Sequence, residues 1–245
     1  MKAYSRADAY RLRPSIELPW RKLRDALSTC LALALLAGCV GAPPQPVPGR
    51  LLRAQALALL QTVNVELLSH PSATLTLERW CADHHLAQPA TIIVRRLHDR
   101  VKPLPPAWRA RLEVGTGARI GYRHVQLMCG SRVLSDADNW YLPGRLTEWM
   151  NRQLDSTDQP FGKVVRALHF QRRTLSSRLL WSPLPRNWEL SAAPGATGPM
   201  RIPRYVLRHE AILYTSGQLP FSAVVETYTN ELFDFGRWTT YLDHG

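Results

Sequence analysis

The chain, 245 residues long, predicts an α+β domain built on an antiparallel β-sheet with flanking helices. Three observations predict it. Apolar residues recur at helical spacing through the early part of the domain. Later, two pairs of strand-like runs are each joined by a turn. The order, helices first and hairpins after, is that of an α+β domain rather than of alternating βαβ units. An apolar fraction of 45% and a charged fraction of 20% are those of a globular protein with a substantial core.

The elements follow in order. Leu52, Ala56, Leu59, Leu60, Val63 and Leu67 mark a helix from Arg50 to about His70. A second helix is expected from about Leu77 to Leu86, with Thr74 or Thr76 as its N-cap. "ATIIVRRL" is β-branched and reads as a strand, and "LPPAWRARLEVG" as a short helix with prolines at its start and glycine at its end. Ile120–Cys129 and Arg132–Leu142 form a hairpin around Gly130-Ser131. Helical spacing resumes from Leu146 to Leu154, "QPFGKVVRAL" is a turn into a short element, and "HFQRRTLSSRLLW" is extended. Proline and glycine make residues 182–203 a long loop or flap. Tyr205–Thr215 and Phe221–Phe233 close the domain as a second hairpin around Ser216-Gly217.

The N-terminal segment has a different character. Lys2, Arg6, Arg11, Arg13, Arg21, Lys22 and Arg24 precede an apolar run, Cys30 to Val40, that is too short to span a bilayer. Pro43, Pro44, Pro46 and Pro48 bar its extension. A basic stretch, a short apolar core and small residues before a cut describe a secretory signal. Leu36-Ala37-Gly38-Cys39 resembles the lipobox of bacterial lipoproteins. That resemblance implies a lipid on the Cys39 thiol, a cleaved N-terminus and anchoring by several acyl chains. The alternative is an uncleaved apolar helix with an incidental cysteine. The expected division is therefore a signal at 1–38, a stiff proline-rich spacer at 39–49 and a domain at 50–245. Val40 replaces the aspartate that usually retains lipoproteins at the inner membrane, which points to the outer membrane facing the periplasm. Without the signal the protein would be cytoplasmic.

Once Cys30 and Cys39 are set aside, Cys81 and Cys129 remain. Outside the cytoplasm they could be bonded, or they could be two separate buried thiols. The net charge of +12 suits an anionic ligand, a membrane surface or nucleic acid and by itself chooses none of them. No aromatic-basic interleaving of an RNA-binding sheet is present, so no nucleic-acid partner is expected. There is no G-x-S-x-G elbow, phosphate loop or dinucleotide fingerprint. His209-Glu210 has Leu213 where a zinc-protease helix needs its second histidine, and His84-His85 are adjacent. Asp136, Asp138 and Asn139 read as a polar turn or strand edge rather than a metal site, and one arginine of each pair, Arg95-Arg96 and Arg172-Arg173, as solvated. A site without metal or cofactor is what remains.

Strand alternation isolates two charges. Arg123 shares a face with Val125, Leu127 and Cys129, and Glu226 shares one with Val224 and Tyr228. A charge in apolar register is costly to bury unless it is paired or binds something charged. Arginine's planar fork suits a carboxylate, and a glutamate in a dry pocket suits proton donation. The two could equally form a structural ion pair or lie exposed at strand ends.

The order of segments then carries a resemblance. "TLTLERWCADHHLA", "ATIIVRRL", "YRHVQLMCGSRVLSDADNWYLP", "STDQPFGKVV" and "EAILYTSGQLPFSAVVETYTNELF" together resemble the chorismate lyase family over roughly residues 74–233. The resemblance implies an antiparallel sheet flanked by helices, with a small aromatic carboxylate beneath helical flaps. It matches Arg123 to the arginine gripping the ring carboxylate, Phe161-Gly162 to the turn whose backbone helps hold it, and Glu226 to the glutamate at the ring's far end. The implied reaction is cofactor-free loss of pyruvate from chorismate to give 4-hydroxybenzoate, with Arg123 orienting the substrate and Glu226 as proton donor. Two other functions fit the same scaffold. One is a binding module that holds a small carboxylate without turning it over, as in the similar effector domains of bacterial transcription regulators. The other is an interaction scaffold using aromatics of the Trp181–Trp188 loop. Chorismate is made in the cytoplasm, so a lipidated Cys39 and the lyase reaction pull in opposite directions.

Overall fold

The computed structural model describes residues 49–98, 101–190 and 199–243. The predicted signal, Cys39 and the spacer up to Pro48 lie outside the described residues, while Gly49, expected in the spacer, opens a helix; residues 191–198 of the loop expected at 182–203 also lie outside. The described chain begins with helices α1 (Gly49–Ser69) and α2 (Ala73–Asp83). Strand β1 (Ile92–Leu97), the short helix α3 (Pro106–Arg111) and strands β2 (Gly121–Cys129) and β3 (Arg132–Tyr141) follow. Then come α4 (Glu148–Ser156), the single turn α5 (Phe161–Val164) and strands β4 (Gln171–Leu179), β5 (Tyr205–Tyr214) and β6 (Pro220–Thr229). All six strands form one sheet in the order β1-β2-β3-β6-β5-β4, and every neighbouring pair is antiparallel. The α+β architecture expected from the sequence is the one observed.

Local chemistry explains most boundaries. Gly130 takes a φ of +58° at the β2–β3 turn, where a side chain would be strained. Helix α2 starts earlier than expected. Ser72, not Thr74 or Thr76, is its N-cap, and the Ser72 hydroxyl accepts from the Leu75 N–H. The helix also stops at Asp83, so His84 caps it and His85 already has a positive φ. Strand β6 ends at Thr229 rather than Phe233, because Asn230 turns to donate to the carbonyls of Ile202 and Asp243.

Two faces of the sheet divide the work. Across one face run Arg96, Val125, Ala137, Glu226, His209 and Ser177 as successive cross-strand neighbours. Helices α1 and α2 cover this face, and the main core joins Leu60, Val63, Leu67 and Leu77 to Val94, Val125, Leu127 and Tyr228. Cys81 of α2 and Cys129 at the end of β2 are bonded to each other, which decides between the two states the sequence left open. The opposite face packs Leu104, Leu112 and Trp140 with Ile212, Ala223 and Val225 beside α3, and carries a polar group next to them. Asp136 and Asp138 sit there in the interior of β3, a central strand, not in a turn or at an edge. His124 and Gln126 contact Asp136, while Tyr122 and Lys102 contact Asp138.

Candidate functional site

The first turn of α2 stands over the middle of the helix-covered face. Phe161-Gly162 of α5 closes against it, and an ion pair between Lys163 and Glu78 at 2.8 Å ties the two helices together. Gly162 suits this approach, since a Cβ there would lie 3.0 Å from the Ser72 hydroxyl, which would have to give by a few tenths of an ångström. Beneath them is a cavity of about 60 Å³ lined by Ser72, Thr74, Phe161, Asn139, Arg172 and Glu226, among others. Phe170, Val125 and Leu127 supply apolar wall.

Glu226 is 7% exposed, and its Oε2 accepts from the Arg172 guanidinium and from the Tyr228 hydroxyl at 3.1 Å. Both side chains of the Arg172–Glu226 pair are more than nine-tenths buried. Burial works against the charge of Arg172, but Glu226 more than offsets it and leaves the guanidinium's pKa raised. Arg172 still has an unsatisfied donor, because its buried Nε has no partner. Burial drives the Tyr228 hydroxyl's pKa well up, with Glu226 adding to the effect, so the phenol stays a donor. Next to Glu226 on β5, His209 is fully buried and burial lowers its pKa to about 4. Its Nε2 lies 2.8 Å from Asn64 Oδ1 and 3.1 Å from Ser177 Oγ, and its Nδ1 has no partner. Asn139 Oδ1 accepts from Ser222 at 2.8 Å.

Arg123 is 2% exposed and lies on the same face, opposite Asn139. Its guanidinium does not line the cavity. It donates instead to the backbone carbonyls of Gln159 (3.3 Å from both terminal nitrogens) and Thr157 (3.4 Å), with Nε unpaired. Desolvation, helped by Arg96, lowers its pKa to about 10. The structure thus brings Phe161, Gly162 and Glu226 to one cavity and sets Arg123 beside it, held by the segment that leads into α5. Arg123 and Glu226 are not each other's partner.

Sequence reasoning missed Arg172, the partner Glu226 does have. Alternation along β4 marked one arginine of the pair as inward, and that signal was available. Arg173, its exposed neighbour, stacks over Tyr214 at 4.3 Å. Asn139 and Thr74 were noticed only as turn and cap residues. Among the described residues no group of three or more His, Cys, Asp or Glu is placed to hold a metal ion, and no helix is long and apolar enough to cross a membrane.

No family model matches the chain. A protein of Sinorhizobium fredii, the uncharacterized protein y4mC, is 50% identical over 195 residues, which are 78% of this chain and 82% of that protein. The chain belongs to that protein's family. Among solved structures, PhnF from Mycobacterium smegmatis matches 68% of this chain and 67% of its own, with 10% identity and a TM-score of 0.43. The possible transcriptional regulator YydK from Bacillus subtilis matches with 15% identity and a TM-score of 0.38 over 59% of this chain. The match spans 60% of the length of YydK.

Proposed function

We propose that the protein is a binding module for a small carboxylic acid with an aromatic body, held on the helix-covered face of the sheet. One observation carries this. Among the described residues, that face buries two guanidinium groups, Arg123 and Arg172, against one carboxylate, Glu226. Arg123 donates only to neutral carbonyls, with Asp158 and Asp155 acting on it from farther away, and a buried charge without a counter-charge in direct contact is costly. An anionic ligand completes the balance. Phe161 and Phe170 offer ring contacts, but the cavity of about 60 Å³ is smaller than the roughly 150 Å³ that takes up benzene. A ring enters by displacing one of these half-buried phenylalanines.

Binding is favoured over turnover by the state of Glu226. It accepts hydrogen bonds from a guanidinium and a phenol, the arrangement of an acceptor rather than of a proton donor. Calorimetry of the purified chain with 4-hydroxybenzoate, beside an assay of chorismate breakdown, tests the proposal. Binding without release of 4-hydroxybenzoate from chorismate is expected. Release would establish the lyase reaction, with Arg123 and Glu226 in the roles the family resemblance implies, and absence of any binding would leave the scaffold function.

We propose also that Cys39 is lipidated and that the domain faces the periplasm at the outer membrane. The lipobox resemblance supports this, and a buried disulfide fits an oxidising compartment. Labelled palmitate should enter the parent chain and not Cys39→Ala. Equal labelling of both, or recovery of the parent in the cytosol, would refute it.

A further inference from the structure

The resemblance seats the ligand's carboxylate on Arg123. The cavity itself offers a different seat. Helix α2 has eleven residues, and its first turn lines the cavity. The first N–H groups of a helix have no partner within it. Here the Ser72 hydroxyl takes the Leu75 N–H and the Ser72 carbonyl takes the Thr76 N–H. Among the described residues, the N–H groups of Ala73 and Thr74 are left, at the positive end of the helix dipole.

Independent side chains point to the same place. Arg172 lines the cavity, its side chain is 5% exposed, and its Nε is an unsatisfied buried donor. An orphaned donor of this kind is costly unless something fills it. Asn139, 5% exposed, also lines the cavity, and its Oδ1 takes the Ser222 hydroxyl. Thr74, 6% exposed, adds a hydroxyl to the same wall. Donors therefore gather around the end of α2, while Glu226 supplies the cavity's acceptor.

We propose that the ligand's carboxylate binds at the N-terminus of α2, held by the Ala73 and Thr74 N–H groups and the Thr74 hydroxyl, with Arg172 as its counter-charge. The ligand class is a hydroxy-carboxylate whose hydroxyl donates to Glu226 across the cavity. Arg123 acts from outside the cavity, through its charge alone. This rests on the binding function proposed above and names the group that grips.

The test uses the full chain, with 4-hydroxybenzoate as probe and 4-hydroxybenzamide as its uncharged counterpart. Calorimetry should show Thr74→Val and Arg172→Gln each weakening 4-hydroxybenzoate by about tenfold or more, the loss of a hydrogen bond to a charged group. The benzamide should bind the parent more weakly by a similar factor. Because Arg172→Gln leaves Glu226 without its cation, the double variant Arg172→Gln/Glu226→Gln is measured beside it, with thermal melting to establish folding. Amide NMR of the unaltered chain gives a readout free of any substitution. The Ala73 and Thr74 resonances should move most on adding 4-hydroxybenzoate. If affinity survives in Thr74→Val and Arg172→Gln but is lost in Arg123→Gln, the carboxylate sits on Arg123, this proposal is overturned and the binding function stands. If the parent binds no 4-hydroxybenzoate, the binding function fails and this proposal with it.

Discussion

Replacing Cys81 and Cys129 together by alanine tests the link between α2 and β2. The bond joins residues 48 apart in sequence. Closing a loop of that size removes denatured-chain entropy worth about 4 kcal/mol at 25 °C. Both cysteines are wholly buried in the main core, so losing two sulfur atoms adds a smaller packing cost of the same sign. A domain of this kind has about 5–15 kcal/mol of stability in all. The double variant should therefore lose roughly a third or more of it. Urea unfolding followed by tryptophan fluorescence is the assay. The midpoint should fall, and the slope should steepen as the unlinked denatured chain exposes more surface. An unchanged midpoint would refute the reasoning, as would non-reducing peptide mapping in which the Cys81 and Cys129 peptides run unlinked.

Three further outcomes are expected. His209 is neutral in the fold, its pKa lowered to about 4 by burial despite Glu226 and with help from Arg172. The unfolded chain takes up the proton first, so this contribution is complete above about pH 6.5 and is lost as pH falls toward 4, by about 3 kcal/mol. His209→Gln should flatten the stability profile over that window in urea titrations at stepped pH; an unchanged profile counts against it. Arg123→Met should hold its unfolding free energy within about 1 kcal/mol of the parent, since the desolvation cost leaves with the three carbonyl contacts. A much larger loss would mean those contacts hold the Thr157–Gln159 segment in place. Gly162→Ala puts a methyl 3.0 Å from the Ser72 hydroxyl. It should cost about 1–3 kcal/mol in thermal or urea unfolding, and an unaltered midpoint would show that the α2–α5 approach is loose.

The sheet was legible because its hairpins are specified locally. Gly130-Ser131 and Ser216-Gly217 are turn chemistry, and the flanking runs alternate or are β-branched, so the strands nearly match their predicted ranges. The end of β6 was not, because what stops it is Asn230 reaching carbonyls of Ile202 and Asp243, contacts between segments that no periodicity records. Ser72, Thr74 and Thr76 are three hydroxyls in near succession, each able to cap a helix, and local sequence alone does not choose Ser72 among them. At the site, alternation identified Arg123 and Glu226 as buried charges, and both are buried. Alternation cannot say which cation meets which anion. Arg172 reaches Glu226 from β4 across β5, and that requires knowing the strand order.

The strand order also bears on what the site can do. Protonating Glu226 would leave Arg172 buried without its counter-charge and the Tyr228 hydroxyl without its ionic acceptor. Each loss is unfavourable in a desolvated interior. A mechanism in which Glu226 gives up a proton must first take the Arg172–Glu226 pair apart. Binding makes no such demand, because a ligand hydroxyl can donate to the carboxylate while Arg172 stays in place. An incoming carboxylate would meet the unsatisfied Nε of Arg172 and reduce the excess of buried positive charge. The same pair that hinders proton donation would therefore assist the proposed binding of an anion that also carries a hydroxyl.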